Sequence, residues 1–139
     1  NVQNYYDPEN SYINQVLERR TGIPITLATV YLLIAQRVGL PLSGVGLPGH
    51  FMLKYEQGKT CIFIDAFNSG RALTRDDCIR FLLNSGYEVQ EECFLETTPR
   101  DIICRMLRNL IYAYHRIGDR DRACRLTRLI HILQLSPQE

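Results

Sequence analysis

His50 and Asp65 are the two residues whose types and spacing could do chemistry together. Each lies on one of two β-rich runs, HFMLKY and CIFIDAF, separated by a turn around EQGK. If Tyr55 faces Thr60 across that turn, His50 stands directly opposite Asp65, Met52 opposite Phe63 and Lys54 opposite Cys61. Directly opposed residues hold their Cβ atoms about 4.5–5.5 Å apart, close enough for an imidazole to hydrogen-bond a carboxylate. A one-residue slip would send the two to opposite faces. An imidazole oriented by a carboxylate is the base of a Cys–His–Asp site, whose thiol sits at a helix N-terminus where the dipole lowers its pKa.

The nucleophile is harder to find. Cys61 lies four positions along its strand from Asp65, roughly 13 Å away at ~3.3 Å per residue. Cys78, Cys93, Cys104 and Cys124 read as packing residues on helices or a connector. Thr26 remains as a candidate hydroxyl near a helix start, although threonine needs stronger activation than a thiol. Its alternative role is a buried side chain bonded to a turn carbonyl, and that of His50 is a structural contact holding the hairpin through Asp65. A metal held by His50, Asp65 and a ligand from the N-terminal segment is a weaker option, because two ligands define no site. No metal and no cofactor is expected.

These residues must be placed by the elements around them. The run GIPITLATVYLLIAQRV, from Gly22 to Val38, predicts a helix entered at Pro24 and closed by Gly39 and Pro41. Its apolar residues cover nearly the whole circumference, which predicts a buried core helix with its positive end toward the site. Beyond it, LPLSGVGLPG predicts a short strand around Ser43–Leu47 and a tight Pro48-Gly49 turn that sets up His50. Upstream, residues 1–8 read as an extended lead-in, and Asn10 or Ser11 as the cap of a helix over Tyr12–Arg19. Downstream, Asn68-Ser69-Gly70 ends the hairpin and Thr74 caps a helix over Arg75–Leu83 that buries Cys78, Phe81 and Leu82. Residues 84–98 read as a connector with a short extended piece at Glu92–Leu95. From Pro99 the pattern is purely helical: Arg100–Ile117 and Asp119–Leu135, joined at Gly118.

Composition limits the function classes. The 139 residues are 45% hydrophobic with a formal charge of +1, which suits one globular domain or one domain with a small appendage. That balance gives no push toward nucleic acid or membrane. Five cysteines without a CxxC pair or zinc spacing, and no visible leader or membrane-spanning run, point to reduced thiols in a cytoplasmic protein. Residues 96–139 carry eight arginines against five acids, read first as a solvated face and second as a site for an acidic partner.

Four motifs in order, Gly22-Ile23-Pro24, Gly39-Leu40-Pro41, His50-Phe51-Met52 and Asp65-Ala66-Phe67, resemble the transglutaminase-like (papain-like) superfamily. The phrases NSYINQVLERRTGIPITLATVYL, LPGHFMLKY and IDAFNSG are closer still to the SirB-type branch of bacteria, whose domain also occurs in a eukaryotic F-box protein. Leu107, Leu110, Tyr114 and Ala123 resemble one tetratricopeptide unit, closed late by Pro137, and that branch often carries such a tail. The resemblance implies an α+β fold: a transglutaminase-like domain over residues 1–95, its core helix packed on an antiparallel sheet, then a helical pair over 96–139. It also places the catalytic cysteine of the family at Pro24, which has no nucleophile. A non-catalytic regulatory module binding a protein or peptide, through its tail or the His50 cleft, is therefore expected. The alternative is an amide-bond hydrolase or acyl transferase using His50, Asp65 and Thr26 or an activated water.

Overall fold

The computed structural model describes residues 4–135. It is an α+β chain divided into two compact units, Pro24–Thr97 and the described parts of Asn1–Ile23 with Thr98–Glu139. The chain crosses between them at Ile23–Pro24 and again at Thr97–Thr98, so residues 4–23 cluster with the C-terminal helices. Among the described residues, no single helix is long and apolar enough to cross a membrane.

In the first unit, helix α2 (Pro24–Val38; α1 lies in the other unit) is followed by four antiparallel strands. These are β1 (Leu42–Val45), β2 (Met52–Gln57), β3 (Thr60–Asp65) and β4 (Arg71–Leu73), in that order across the sheet. Helix α3 (Arg75–Asn84) comes next. It begins with a capping box, in which the Thr74 hydroxyl accepts from the Asp77 N–H and the Asp77 carboxylate accepts from the Thr74 N–H. One core cluster joins sheet and helix: Val45, Leu47, Met52, Phe63, Cys78 and Leu82, with Phe94.

Four expectations need correction here. The hairpin pairs Gln57 with Thr60, Glu56 with Cys61 and Lys54 with Phe63, two residues away from the register read from the sequence. The cause is the turn: Gly58, at φ +62°, takes the first of two turn positions, a place where other residues are strained. Second, α2 is not buried all round. Its first turn and the small residues Ala28 and Ala35 are buried, whereas Tyr31, Leu33, Ile34 and Val38 are exposed. Hydrophobicity at every position cannot say which side has neighbours. Third, the strand β4 follows Asn68-Ser69-Gly70, where Ser69 and Gly70 both have positive φ. Fourth, Glu91–Phe94 is a 3-10 turn rather than an extended piece. The bridge that does form pairs Glu96 with Val45.

The second unit holds α1 (Ile13–Arg19), α4 (Pro99–Arg116) and α5 (Arg120–Leu135). Neither Asn10 nor Ser11 caps α1. Residues Pro8–Ser11 instead form a 3-10 turn capped by Asp7, and the buried Asn10 amide donates to the carbonyls of Asn4 and Tyr5. Thr98 caps α4, and Gly118, at φ +80°, turns the chain into α5. Leu110, Tyr114 and Ala123 are the buried contact between the two helices. The Tyr12 and Tyr114 hydroxyls hydrogen-bond each other. Burial, then that bond, push Tyr12 up to about 12. Pro137 lies outside the described residues.

Candidate functional site

His50 follows a four-residue turn that fixes its backbone. Pro48 pre-sets φ at the first central position, Gly49 takes φ +73° at the second, and the His50 N–H donates to the Leu47 carbonyl at 3.1 Å. This is the type II pattern, whose second central residue needs a left-handed conformation. Extending the β2–β3 register puts Asp65 level with Met52 and leaves His50 two residues further along. A displacement of two preserves the face, so the pair still meets. His50 Nε2 lies 3.0 Å from Asp65 Oδ1, an ion-pair contact whose alignment falls short of a full hydrogen bond.

Asp65 is held on all sides. Its Oδ1 accepts from the N–H groups of Phe67 at 3.0 Å and Asn68 at 3.1 Å, and its Oδ2 from the Asn68 side-chain amide at 2.7 Å. Burial by itself would raise its pKa, but His50 and Asn68 outweigh that and lower it to about 2. The carboxylate is therefore ionised at neutral pH. The His50 ring lies between Phe67, edge-on at 6.2 Å, and Phe81 of α3, tilted at 5.5 Å. The side chains are only 9% and 7% exposed, so the pair is covered rather than open to solvent.

Chemically, the arrangement sets an imidazole against an ionised carboxylate through Nε2, the contact by which an acid orients a base. Pro24 is the first residue of α2, the position at which the helix dipole would act on a nucleophile. Thr26 is wholly buried in the same first turn, so its hydroxyl presents no surface to a substrate. Cys78 is wholly buried on α3, and burial, with Asp77 next, pushes its thiol up to about 11, away from reactivity. Cys61 is exposed on β3, but pairs with Glu56 at the far end of the hairpin from Asp65. Among the described residues, no group of three or more His, Cys, Asp or Glu side chains is placed to hold a metal ion.

Sequence reasoning missed Asn68 and Phe81. Asn68 was read only as a turn residue, although Asp followed three places later by Asn is the spacing at which a carboxylate captures the turn's own donors. Phe81 was read as core, and no local signal places it against His50.

A sequence profile of the transglutaminase-like superfamily matches residues 1–108. A UPF0162 protein of Xylella fastidiosa is 40% identical over 145 residues, covering 100% of this chain and 51% of that protein. A second UPF0162 protein, of Pseudomonas aeruginosa, is 33% identical over 115 residues, covering 81% of this chain and 42% of that protein. Human F-box only protein 21 is 37% identical over 126 residues, 85% of this chain and 20% of that protein. The chain thus spans about half the length, or less, of these curated relatives. No solved structure matches significantly.

Proposed function

The chain belongs to the transglutaminase-like superfamily, and from that premise we propose that it is a non-catalytic member of the SirB type, a regulatory module that binds a protein or peptide. The observation that carries this reading is Pro24. It opens α2 at the place where the resemblance puts the nucleophilic cysteine, and it has neither thiol nor hydroxyl. The burial of Thr26 supports it, as does the covered state of the His50–Asp65 pair. In this reading the pair is a structural contact that ties β3 to the turn before β2. On the same reading a transglutaminase-like domain over residues 1–95 is followed by a tetratricopeptide-like helical pair over 96–139, the first part of which the family profile also covers. That tail faces a protein in the cytoplasm, with no role for nucleic acid, membrane, metal or cofactor.

One observation favours a second reading. The 3.0 Å approach of His50 Nε2 to Asp65 is what an amide-bond hydrolase or acyl transferase needs, with Thr26 or a water as nucleophile. A broad amidase and esterase screen of the wild type against His50→Ala separates the two. No His50-dependent turnover is expected; turnover that disappears in the variant would overturn the non-catalytic reading.

A further inference from the structure

Two clefts adjoin in the second unit. One, of about 560 Å³, is lined by Tyr5, Tyr6 and Arg116. The other, of about 480 Å³, is lined by Tyr12, Tyr114 and Arg122. Asp7, Pro8 and Ile117 line both, so the two lie side by side in one grooved surface. Each is within the size range of ligand-binding clefts, roughly 300–1,000 Å³.

The groove is lined by tyrosine rings with arginine guanidinium groups over two of them. Tyr6, Tyr12 and Ile117 are exposed. The Arg116 guanidinium lies 5.1 Å over the Tyr6 ring, and that of Arg122 lies 5.4 Å over the Tyr114 ring. A guanidinium over an aromatic ring is held by a cation–π contact and keeps N–H donors that fit a planar carboxylate. The acids nearby are already committed. Asp7 and Glu9 both pair with Arg19, at 3.3 and 2.6 Å, and Asp119 pairs with Arg122 at 3.4 Å. Arg116 has no carboxylate within ion-pair distance among the described residues. The surrounding helices add a wider positive field, with eight arginines against three acids over Pro99–Leu135.

We propose that this groove docks an extended acidic peptide segment of a partner protein, with a carboxylate on Arg116 and an apolar side chain against Tyr6 and Ile117. The proposal rests on the binding-module reading and names the chemistry of the partner. Tyrosine and arginine in one concave patch are the residue types that dominate binding energy at protein interfaces. Tyr6 supplies contact area at small entropic cost, while Arg116 supplies the sign.

The test is fluorescence anisotropy on the full chain with a short labelled Glu-Pro repeat peptide, compared with Gln-Pro and Lys-Pro repeats. The Glu-Pro peptide is expected to bind saturably, and the Gln-Pro peptide at least about tenfold more weakly. Arg116→Glu is expected to weaken Glu-Pro binding at least about tenfold, and Tyr6→Ala several-fold. Should Arg116→Glu unfold the chain, judged by circular dichroism, Arg116→Gln carries the same test. Arg108→Glu, at an exposed position of α4 that lines neither cleft, is expected to change binding by less than about twofold. Equal binding of the Gln-Pro peptide, no saturable binding, or an Arg108→Glu effect as large as that at Arg116 would each overturn the proposal. The assay reads no turnover. His50-dependent hydrolysis would therefore sink the non-catalytic reading while leaving the groove standing, and loss of peptide selectivity would do the reverse.

Discussion

The His50–Asp65 pair and the tyrosine–arginine groove set charge against aromatic rings in opposite ways. At the pair, the carboxylate takes up donors from Phe67 and Asn68 and an ion-pair contact from the imidazole, whose ring is flanked by Phe67 and Phe81. At the groove, Arg116 lies over the ring of Tyr6 with no carboxylate within ion-pair distance among the described residues, and its cleft is open. A charge whose partners are all internal is committed to the fold. A cation set over a ring and without an acid keeps hydrogen-bonding capacity for something else. The contrast teaches that similar residue types serve stability in one unit and recognition in the other, depending on where the remaining hydrogen bonds point.

Asp65→Ala should break the comparison most severely. It strips partners from Phe67, Asn68 and His50 in a covered site, and a loss of about 3–5 kcal/mol is expected in urea denaturation. A cost below about 1 kcal/mol would mean that the pair does not hold the fold.

A smaller effect should come from acid. Asp65 is held at about 2 against an ordinary 3.8. A carboxylate with a depressed folded pKa contributes stability that is complete above its unfolded pKa and is lost as pH falls through the folded one. Wild type should therefore lose on the order of 2 kcal/mol relative to Asp65→Asn between about pH 4 and pH 2. Parallel curves for the two proteins across that window would contradict the assignment.

Gly49→Ala should cost about 1–2 kcal/mol, because φ +73° disfavours a side chain. The new Cβ would also meet the Tyr87 hydroxyl at 3.1 Å, though that exposed ring can move aside. A change in thermal midpoint reads the cost directly. Arg116→Gln, by contrast, should shift stability by less than about 0.5 kcal/mol while abolishing selectivity for acidic peptide. That outcome sharpens the comparison, since at Asp65 stability carries the effect and at Arg116 recognition does.

Much of this was legible where local chemistry decides. Thr74, Pro99 and Gly118 announce helix ends through a capping group, a first-turn proline and a left-handed backbone, and the helices begin or end within a residue or two of them. The meeting of His50 and Asp65 was legible because alternation along a strand is strict. The register was not, since both Gln57-Gly58 and Gly58-Lys59 are plausible turns and only the backbone angle at Gly58 chooses. Strand β4 is three residues long and exists through pairing with β3, which no local pattern encodes. The exposed side of α2 escaped for a related reason: a run apolar at every position carries no phase. Nor was the groove visible, because residues near the start of the chain and the α4–α5 turn come together only in the fold.

The two-residue displacement of the hairpin has a consequence for how this protein can vary. Sliding β3 along β2 by an odd number of places would carry the acid to the wrong side of the sheet and strand the imidazole, whereas an even slide keeps both on one side. Any change of register that keeps the imidazole against the acid must therefore come in even steps.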